Sequence, residues 1–224
     1  MSGAIASPLG MSRHDAVLAL VEPQLPAGEL AHDRQHLLRV RDWAMRLAPE
    51  VGADRDLAGA AALVHDLVFV PKDSVDRQLG GERSAAAAPA VLAQAGYVEF
   101  EISQIADAVR TSSWSRGLAP NSPLGAVLQD ADRLDAIGVF GLMRNLACAQ
   151  HMAKPGRSAF CHPTDPLAKH GRALDDKAWA TDHLFAKLLK LAEGMHTTSA
   201  RAEAARRHAF LLAWLAELER ELTG

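Results

Sequence analysis

Alanine is the residue type that most constrains the fold of this chain, because the 224 residues include 43 alanines but only 11 aromatic residues. Alanine favours helices, whereas strands are rich in aromatic and β-branched residues. A hydrophobic fraction of 49% with 23% charged residues also excludes an intrinsically disordered chain. We therefore predict an all-α protein, with a flexible N-terminus over residues 1–12 and a single helical domain over residues 13–224.

The charge and the cysteine content exclude several functional classes. The net charge is -3, so no overall positive potential favours stable binding to nucleic acid. The two cysteines, Cys148 and Cys161, are too few for a disulfide framework. The sequence has no run of 18 apolar residues, which argues against a membrane-spanning helix. We expect a cytoplasmic protein that binds neither nucleic acid nor membrane.

Apolar residues at helical spacing predict seven helices. The first covers residues 35–47, with Asp33 as a candidate N-cap. Its stripe consists of Leu37, Val40, Ala44 and Leu47. The other predicted helices cover residues 54–67, 82–94, 99–110, 124–149, 179–192 and 199–222. The segment 124–149 is predicted as one long or kinked helix because glycines occur within it.

Polar residues interrupt three of these apolar segments. His36 lies at the edge of the first stripe, and the pair His65 and Asp66 ends a second apolar segment. Asp130 and Asp132 interrupt a third. Buried imidazoles and carboxylates are uncommon unless they are paired or bind metal. Two imidazoles and two carboxylates from separate helices therefore indicate a site for a divalent metal ion.

Each of these residues, taken alone, has a simpler interpretation. His36 could be a hydrogen-bonded core or capping histidine. Asp130 could cap a helix or form a salt bridge with Arg39 or Arg133. Their order along the chain, an imidazole, then an imidazole next to a carboxylate, then a carboxylate, favours the metal site over three independent structural roles.

Three motifs resemble those of the HD-domain metal-dependent phosphohydrolases. They are His-Leu-Leu-Arg-Val at residues 36–40, Leu-Val-His-Asp-Leu at 63–67 and Leu-Gln-Asp-Ala-Asp-Arg-Leu at 128–134. Residues 174–191 resemble the C-terminal part of a bacterial subgroup, the YedJ-like and YpgQ-like proteins. The similarity therefore extends over about residues 30–215.

This resemblance implies a helical bundle with a metal-binding core at about residues 30–150 and C-terminal helices at about residues 178–222. It implies a divalent cofactor, one of Mn²⁺, Mg²⁺, Co²⁺, Ni²⁺, Fe²⁺ or Zn²⁺, which lowers the pKa of bound water and neutralises phosphoryl charge. Carried over by motif, the metal ligands are His36, His65, Asp66 and Asp130.

The implied reaction is hydrolysis of a small phosphorylated substrate. For the subgroup this is a nucleotide, with a nucleoside triphosphate that releases pyrophosphate or phosphate as the expected case. Asp66 or Asp130 would orient the attacking water as a catalytic residue.

A phosphate substrate also needs cationic side chains. His183, Lys187 and Lys190 fall at i, i+4 and i+7 and would share one face of a helix. The alternative is a solvated basic stripe near the helix C-terminus. Arg39 and Arg133 each follow a predicted ligand by three residues, so they could bind phosphate or form salt bridges.

One position departs from the pattern of the subgroup. Ser112, which precedes Trp114 by two residues, stands where the subgroup is expected to carry a histidine. The loss of this imidazole keeps a second hypothesis open, in which the chain is a non-catalytic, metal-stabilised module that binds a nucleotide or a partner.

A homodimer is a further expectation, because the last predicted helix has an apolar stripe that could be core or a dimer contact. Its members are Phe210, Ala213, Trp214 and Leu218.

Overall fold

The computed structural model describes residues 10–71, 74–153 and 160–223, apart from the side chain of Arg77. Within these residues the regular secondary structure is helical and includes no β-strand, which confirms the all-α prediction. None of the described helices is long and apolar enough to cross a membrane. Residues 1–9 of the predicted flexible segment lie outside the described residues.

The chain packs as two compact units. Of the described residues, unit 1 comprises those within 1–28 and 32–132, and unit 2 comprises those within 29–31 and 133–224. The predicted single domain over residues 13–224 stays a prediction, because the division into units does not test it.

Unit 1 is built around a central helix, α3 (Arg55–Val64), in which every residue from Leu57 to Val64 is buried. Four other helices of this unit, the two before α3 and the two directly after it, pack against α3, because its small alanine side chains allow close approach. The helices are α1 (Arg13–Val21), α2 (Arg34–Leu47), α3 (Arg55–Val64), α4 (Gly80–Gln94), α5 (Glu99–Arg110) and α6 (Pro123–Asp135), of which the last three residues belong to unit 2.

The sequence prediction for α2 is confirmed in detail. The residues of the predicted stripe are buried, and the Asp33 side chain accepts a hydrogen bond from the His36 amide at 2.8 Å as the N-cap. Helix α5 has the predicted bounds. Helix α1 was not predicted, although Ser12 caps it by accepting a hydrogen bond from Asp15 N–H.

The prediction for α3 is wrong at its C-terminus. The helix begins after the N-cap Asp54 as expected, but it ends at Val64 instead of residue 67. The chain then turns, and the Leu67 amide donates to the Val64 carbonyl at 3.2 Å. His65 and Asp66 therefore lie at and just beyond the end of the helix.

Unit 2 contains α7 (Gly138–Met152), α8 (Ala180–Ala186) and α9 (Thr198–Thr223). The predicted helix over residues 124–149 is interrupted between α6 and α7, where Gly138 has a φ of 77° that favours glycine. The predicted helix over residues 179–192 is also interrupted. It ends at Ala186 and is followed, after Lys187, by a 3₁₀-helix over Leu188–Gly194.

A buried ion pair ties the start of α8 to the loop before it. Asp182 has no exposed surface, and its two carboxylate oxygens accept hydrogen bonds from both terminal nitrogens of Arg172. The same carboxylate accepts a hydrogen bond from the Asp175 amide at 2.7 Å. Since all three donors converge on one buried charge, this pair organises the segment that leads into α8.

Candidate metal centre

Four side chains of unit 1 meet at one point, which we call the candidate metal centre (His36, His65, Asp66 and Asp132). His36 comes from the first turn of α2, His65 and Asp66 from the turn after α3, and Asp132 from α6. The Nε2 atoms of the two histidines lie 3.3 Å apart. Asp66 Oδ2 lies 3.3 Å from His65 Nε2 and 3.5 Å from His36 Nε2, and Asp132 Oδ1 lies 3.7 Å and 3.9 Å from the same atoms.

A helix cap fixes the backbone of His36, and a backbone carbonyl orients the ring of His65. The Asp33 cap fixes the first turn of α2, from which His36 projects. His65 Nδ1 lies 2.7 Å from the carbonyl oxygen of Ala62. Because a carbonyl oxygen can only accept, Nδ1 carries a proton, and Nε2 is the ring nitrogen that faces the cluster. A backbone carbonyl in this role is a common orienting partner of metal-binding histidines.

The four side chains differ in their exposure. His36 and His65 are buried, whereas the side chains of Asp66 and Asp132 are 38% and 29% exposed. The candidate metal centre is therefore closed on the imidazole side and open to solvent on the carboxylate side.

The charges of the cluster are strongly coupled. Burial disfavours the charged form of His65, but Asp66 and Asp132 outweigh it and hold the pKa of His65 well above its usual value. Burial likewise opposes ionisation of Asp66, and the nearby histidines hold the pKa of its carboxyl well below its usual value. The pKa of Asp132 is lowered against the effect of burial, chiefly by His65. The site therefore favours two anionic carboxylates that surround a positive charge.

The donor set fits a divalent metal ion. Two ligand atoms at ~2.1 Å from a common ion are separated by about 3 to 4.2 Å, depending on the angle between them. The five distances between donor atoms given above, from 3.3 to 3.9 Å, all fall within this interval. Imidazole nitrogen with carboxylate oxygen is a donor set that suits Mn²⁺, Fe²⁺, Co²⁺, Ni²⁺ or Zn²⁺ and is less suited to Mg²⁺.

The aspartate of α6 in this cluster is Asp132, not the expected Asp130. The carboxylate that lies within 4 Å of both histidines is that of Asp132, while Asp130 is fully buried two residues earlier on the same helix. Successive helical residues are rotated by about 100°, so positions i and i+2 point in nearly opposite directions. The motif contains both aspartates, and only the rotation of α6 about its axis selects between them.

His32 also packs against the cluster, although the sequence analysis did not single it out. Its buried ring lies edge-on to His36, with 5.9 Å between the ring centroids. The sequence could have indicated His32 by its spacing, because it lies four residues, or about one helical turn, before His36.

The two arginines expected to bind substrate lie on the helices that carry the centre. Arg39 is half-buried one turn after His36. Arg133 is buried, and its Nη1 donates a hydrogen bond to the carbonyl oxygen of Gly194 at 2.5 Å. This contact gives Arg133 a structural partner within unit 2, and its expected contact with phosphate stays a prediction.

The expected basic face of His183, Lys187 and Lys190 is not formed on one continuous helix. His183 belongs to α8, Lys187 lies in the interruption, and Lys190 belongs to the 3₁₀-helix that follows. The 3.6-residue period does not continue through the interruption, so the spacing i, i+4, i+7 does not place the three side chains on one face. The Nδ1 atom of His183 lies 3.4 Å from a carboxylate oxygen of Asp176.

Ser112 closes the C-terminal turn of α5. It is buried, and its hydroxyl donates a hydrogen bond to the Val109 carbonyl at 2.9 Å. The following loop is anchored to α6 by Gln129, whose side-chain amide donates to the carbonyl oxygens of Thr111 and Leu118.

Known proteins are similar to this chain in sequence and in fold. The HD domain family model matches residues 34–137, a segment that contains the whole candidate metal centre. The chain is 32% identical over 197 residues to the uncharacterized protein YpgQ of Bacillus subtilis. The matched residues make up 86% of this chain and 85% of YpgQ.

Solved structures agree with the sequence comparison. The crystal structure of Bacillus subtilis YpgQ in complex with ADP has a TM-score of 0.66 at 29% identity and covers 94% of this chain and 98% of that one. A HD-superfamily hydrolase from Bacillus thuringiensis has a TM-score of 0.68 at 25% identity, with 95% and 97% of the two chains covered. The identity and coverage of YpgQ, together with the matched family model, show that this chain belongs to the HD-domain family.

Proposed function

We propose that this chain is a divalent-metal-dependent phosphohydrolase that acts on a nucleotide. The observation that carries the proposal is the convergence of His36, His65 and Asp132 on one point, with Asp66 Oδ2 within 3.5 Å of both imidazole nitrogens. A divalent ion bound there supplies Lewis acidity: it lowers the pKa of water and neutralises charge on phosphoryl oxygens.

The histidines and the aspartates of the candidate metal centre have different roles in the proposed reaction. The buried imidazoles of His36 and His65 would hold the ion from the closed side, and the Ala62 carbonyl orients the His65 ring for this role. Asp66 and Asp132 border solvent, so a phosphate group reaches the site from their side. One of these carboxylates accepts the proton of the water that attacks phosphorus as the bond to the leaving oxygen breaks.

A nucleotide is the favoured substrate class because the homologous YpgQ was crystallised with ADP. Phosphate contacts from the five cationic residues predicted from sequence remain predictions in this proposal; these residues are Arg39, Arg133, His183, Lys187 and Lys190. The test is a screen for release of phosphate and pyrophosphate by the purified protein with Mn²⁺, Mg²⁺, Co²⁺ or Ni²⁺, against nucleoside tri-, di- and monophosphates and against sugar phosphates.

Two variants make this screen specific. Asp66→Ala removes a carboxylate of the centre and should abolish product release. Asp42→Ala, on the exposed face of α2, is the matched control and should retain the activity of the wild type. Product from the wild type and from Asp42→Ala, but not from Asp66→Ala, supports the proposal. If no substrate is cleaved while a nucleotide still raises the melting temperature, the binding module replaces the enzyme as the better hypothesis.

A further inference from the structure

We propose that Ser84 is a positioning residue that holds Asp66 in the metal-binding geometry; this inference rests on the proposed function of the metal centre. Ser84 lies on α4, has no exposed surface, and accepts a hydrogen bond through its Oγ from the Val68 amide at 3.0 Å. The contact joins two segments of unit 1 that are 16 residues apart in sequence.

Asp66 needs such support because it lies outside regular secondary structure. Helix α3 ends at Val64, so the helical hydrogen bonds do not fix the backbone of Asp66. The two amides that follow Asp66 are both hydrogen-bonded. That of Leu67 donates to the Val64 carbonyl at the end of α3, and that of Val68 donates to the Ser84 hydroxyl. The Ser84 contact therefore fixes the backbone two residues after Asp66.

The position of Ser84 depends in turn on how closely α4 approaches α5. A Cβ atom placed on Gly81, one turn before Ser84, would lie 3.3 Å from the Val109 carbonyl oxygen and 3.7 Å from Ser112 Oγ. The glycine thus lets the first turn of α4 pack directly on the last turn of α5. This packing fixes the position of α4 against α5 and hence the position of the Ser84 hydroxyl.

Loss of the Ser84 hydroxyl should weaken metal binding without unfolding unit 1. Alanine in place of Ser84 leaves the Val68 amide without its acceptor and frees the segment that carries Asp66. Partners that orient metal ligands typically change affinity by 10- to 100-fold. For a partner that acts through the backbone, we expect Ser84→Ala to raise the dissociation constant for Mn²⁺ about tenfold.

The experiment measures Mn²⁺ affinity by titration calorimetry on folded protein, for which the fold is checked by circular dichroism. Ser84→Thr keeps the hydroxyl and should retain an affinity close to that of the wild type. Ala88→Gly alters a fully buried residue one turn later on α4. It destabilises the same helix without touching the Val68 contact and should bind Mn²⁺ as the wild type does.

A double-mutant cycle separates positioning of Asp66 from a general structural role. In an Asp66→Asn background, Ser84→Ala should have less than about a twofold further effect, because the residue it positions has lost its charge. The same tenfold loss in both backgrounds would refute the inference. So would wild-type affinity in Ser84→Ala, and that result would leave the proposed function intact. A wild-type protein that binds no Mn²⁺ would instead overturn the proposed function and this inference with it.

Discussion

The Nε2 atoms of His36 and His65 lie 3.3 Å apart in the interior of unit 1. Both rings are buried, and Asp66 approaches the two nitrogens to within 3.5 Å. When both nitrogens present lone pairs they repel each other, and a positive charge between them relieves this repulsion. A proton or a metal ion can provide that charge, so the two compete for the same atoms.

Asp132 should matter more for metal binding than Asp130. Asp132→Asn removes a charged donor that lies within 4 Å of both histidines, and we expect it to weaken Mn²⁺ binding by at least about 100-fold. Asp130→Asn should weaken it by less than about tenfold. Calorimetric titration of the two folded variants checks the order, and a larger loss in Asp130→Asn would restore the ligand set expected from sequence.

Metal should stabilise the protein against heat. An ion at 100 times its dissociation constant stabilises the folded state by about 2.7 kcal/mol, which corresponds to a rise in melting temperature of about 5 to 10 °C for a chain of this size. Thermal denaturation with Mn²⁺ and with EDTA measures this difference. The melting temperature of His65→Ala should be insensitive to both additions, since the variant lacks a buried donor of the centre.

The Arg172–Asp182 ion pair should be essential for the stability of unit 2. Arg172→Ala leaves a fully buried carboxylate without its main partner, which costs about 3 kcal/mol or more. Arg172→Lys should recover only part of this loss because lysine cannot bind both oxygens in parallel. Urea unfolding gives the free energies. Lys169→Ala, which breaks an exposed ion pair with Glu219, is the control and should change stability by less than about 1 kcal/mol.

Glu203 should make stability depend on pH in the acid range. Its hydrogen bond with Arg206 is the main cause that lowers the pKa of its carboxyl from 4.5 to about 2, and the contact with Arg207 adds to the effect. The stabilisation is therefore complete above about pH 4.5 and is lost as the pH falls toward 2. Glu203→Gln should be less stable than the wild type by about 1 kcal/mol at pH 7.

Urea unfolding of wild type and Glu203→Gln at several pH values between 7 and 3 tests this dependence. The difference between them should shrink as the solution becomes more acidic. A difference that stays constant over this range would assign the effect to packing instead of charge. Glu217→Gln, which alters an exposed pair with Arg220 on the same helix, provides the matched control.

The local sequence determined the elements and the types of donor. The stripe of α2 and its Asp33 cap follow from apolar spacing and capping chemistry, which act within one or two turns. The pairing of His65 with Asp66 after an apolar helix likewise indicated metal chemistry from residue types alone. Helix α1 was missed, although the cap formed by Ser12 and Asp15 is a local signal that could have found it.

Tertiary structure decided which of these donors meet. The choice of Asp132 over Asp130 depends on the rotation of α6 about its axis. Packing against other helices sets this rotation, and no local sequence pattern predicts it. The interruption at Lys187 separates residues whose spacing suggested one basic face. The contact between Ser84 and Val68 joins a serine in an alanine-rich run to a turn 16 residues earlier. Periodicity reports the face of a helix that is buried, whereas the partner of a side chain depends on how separate helices pack.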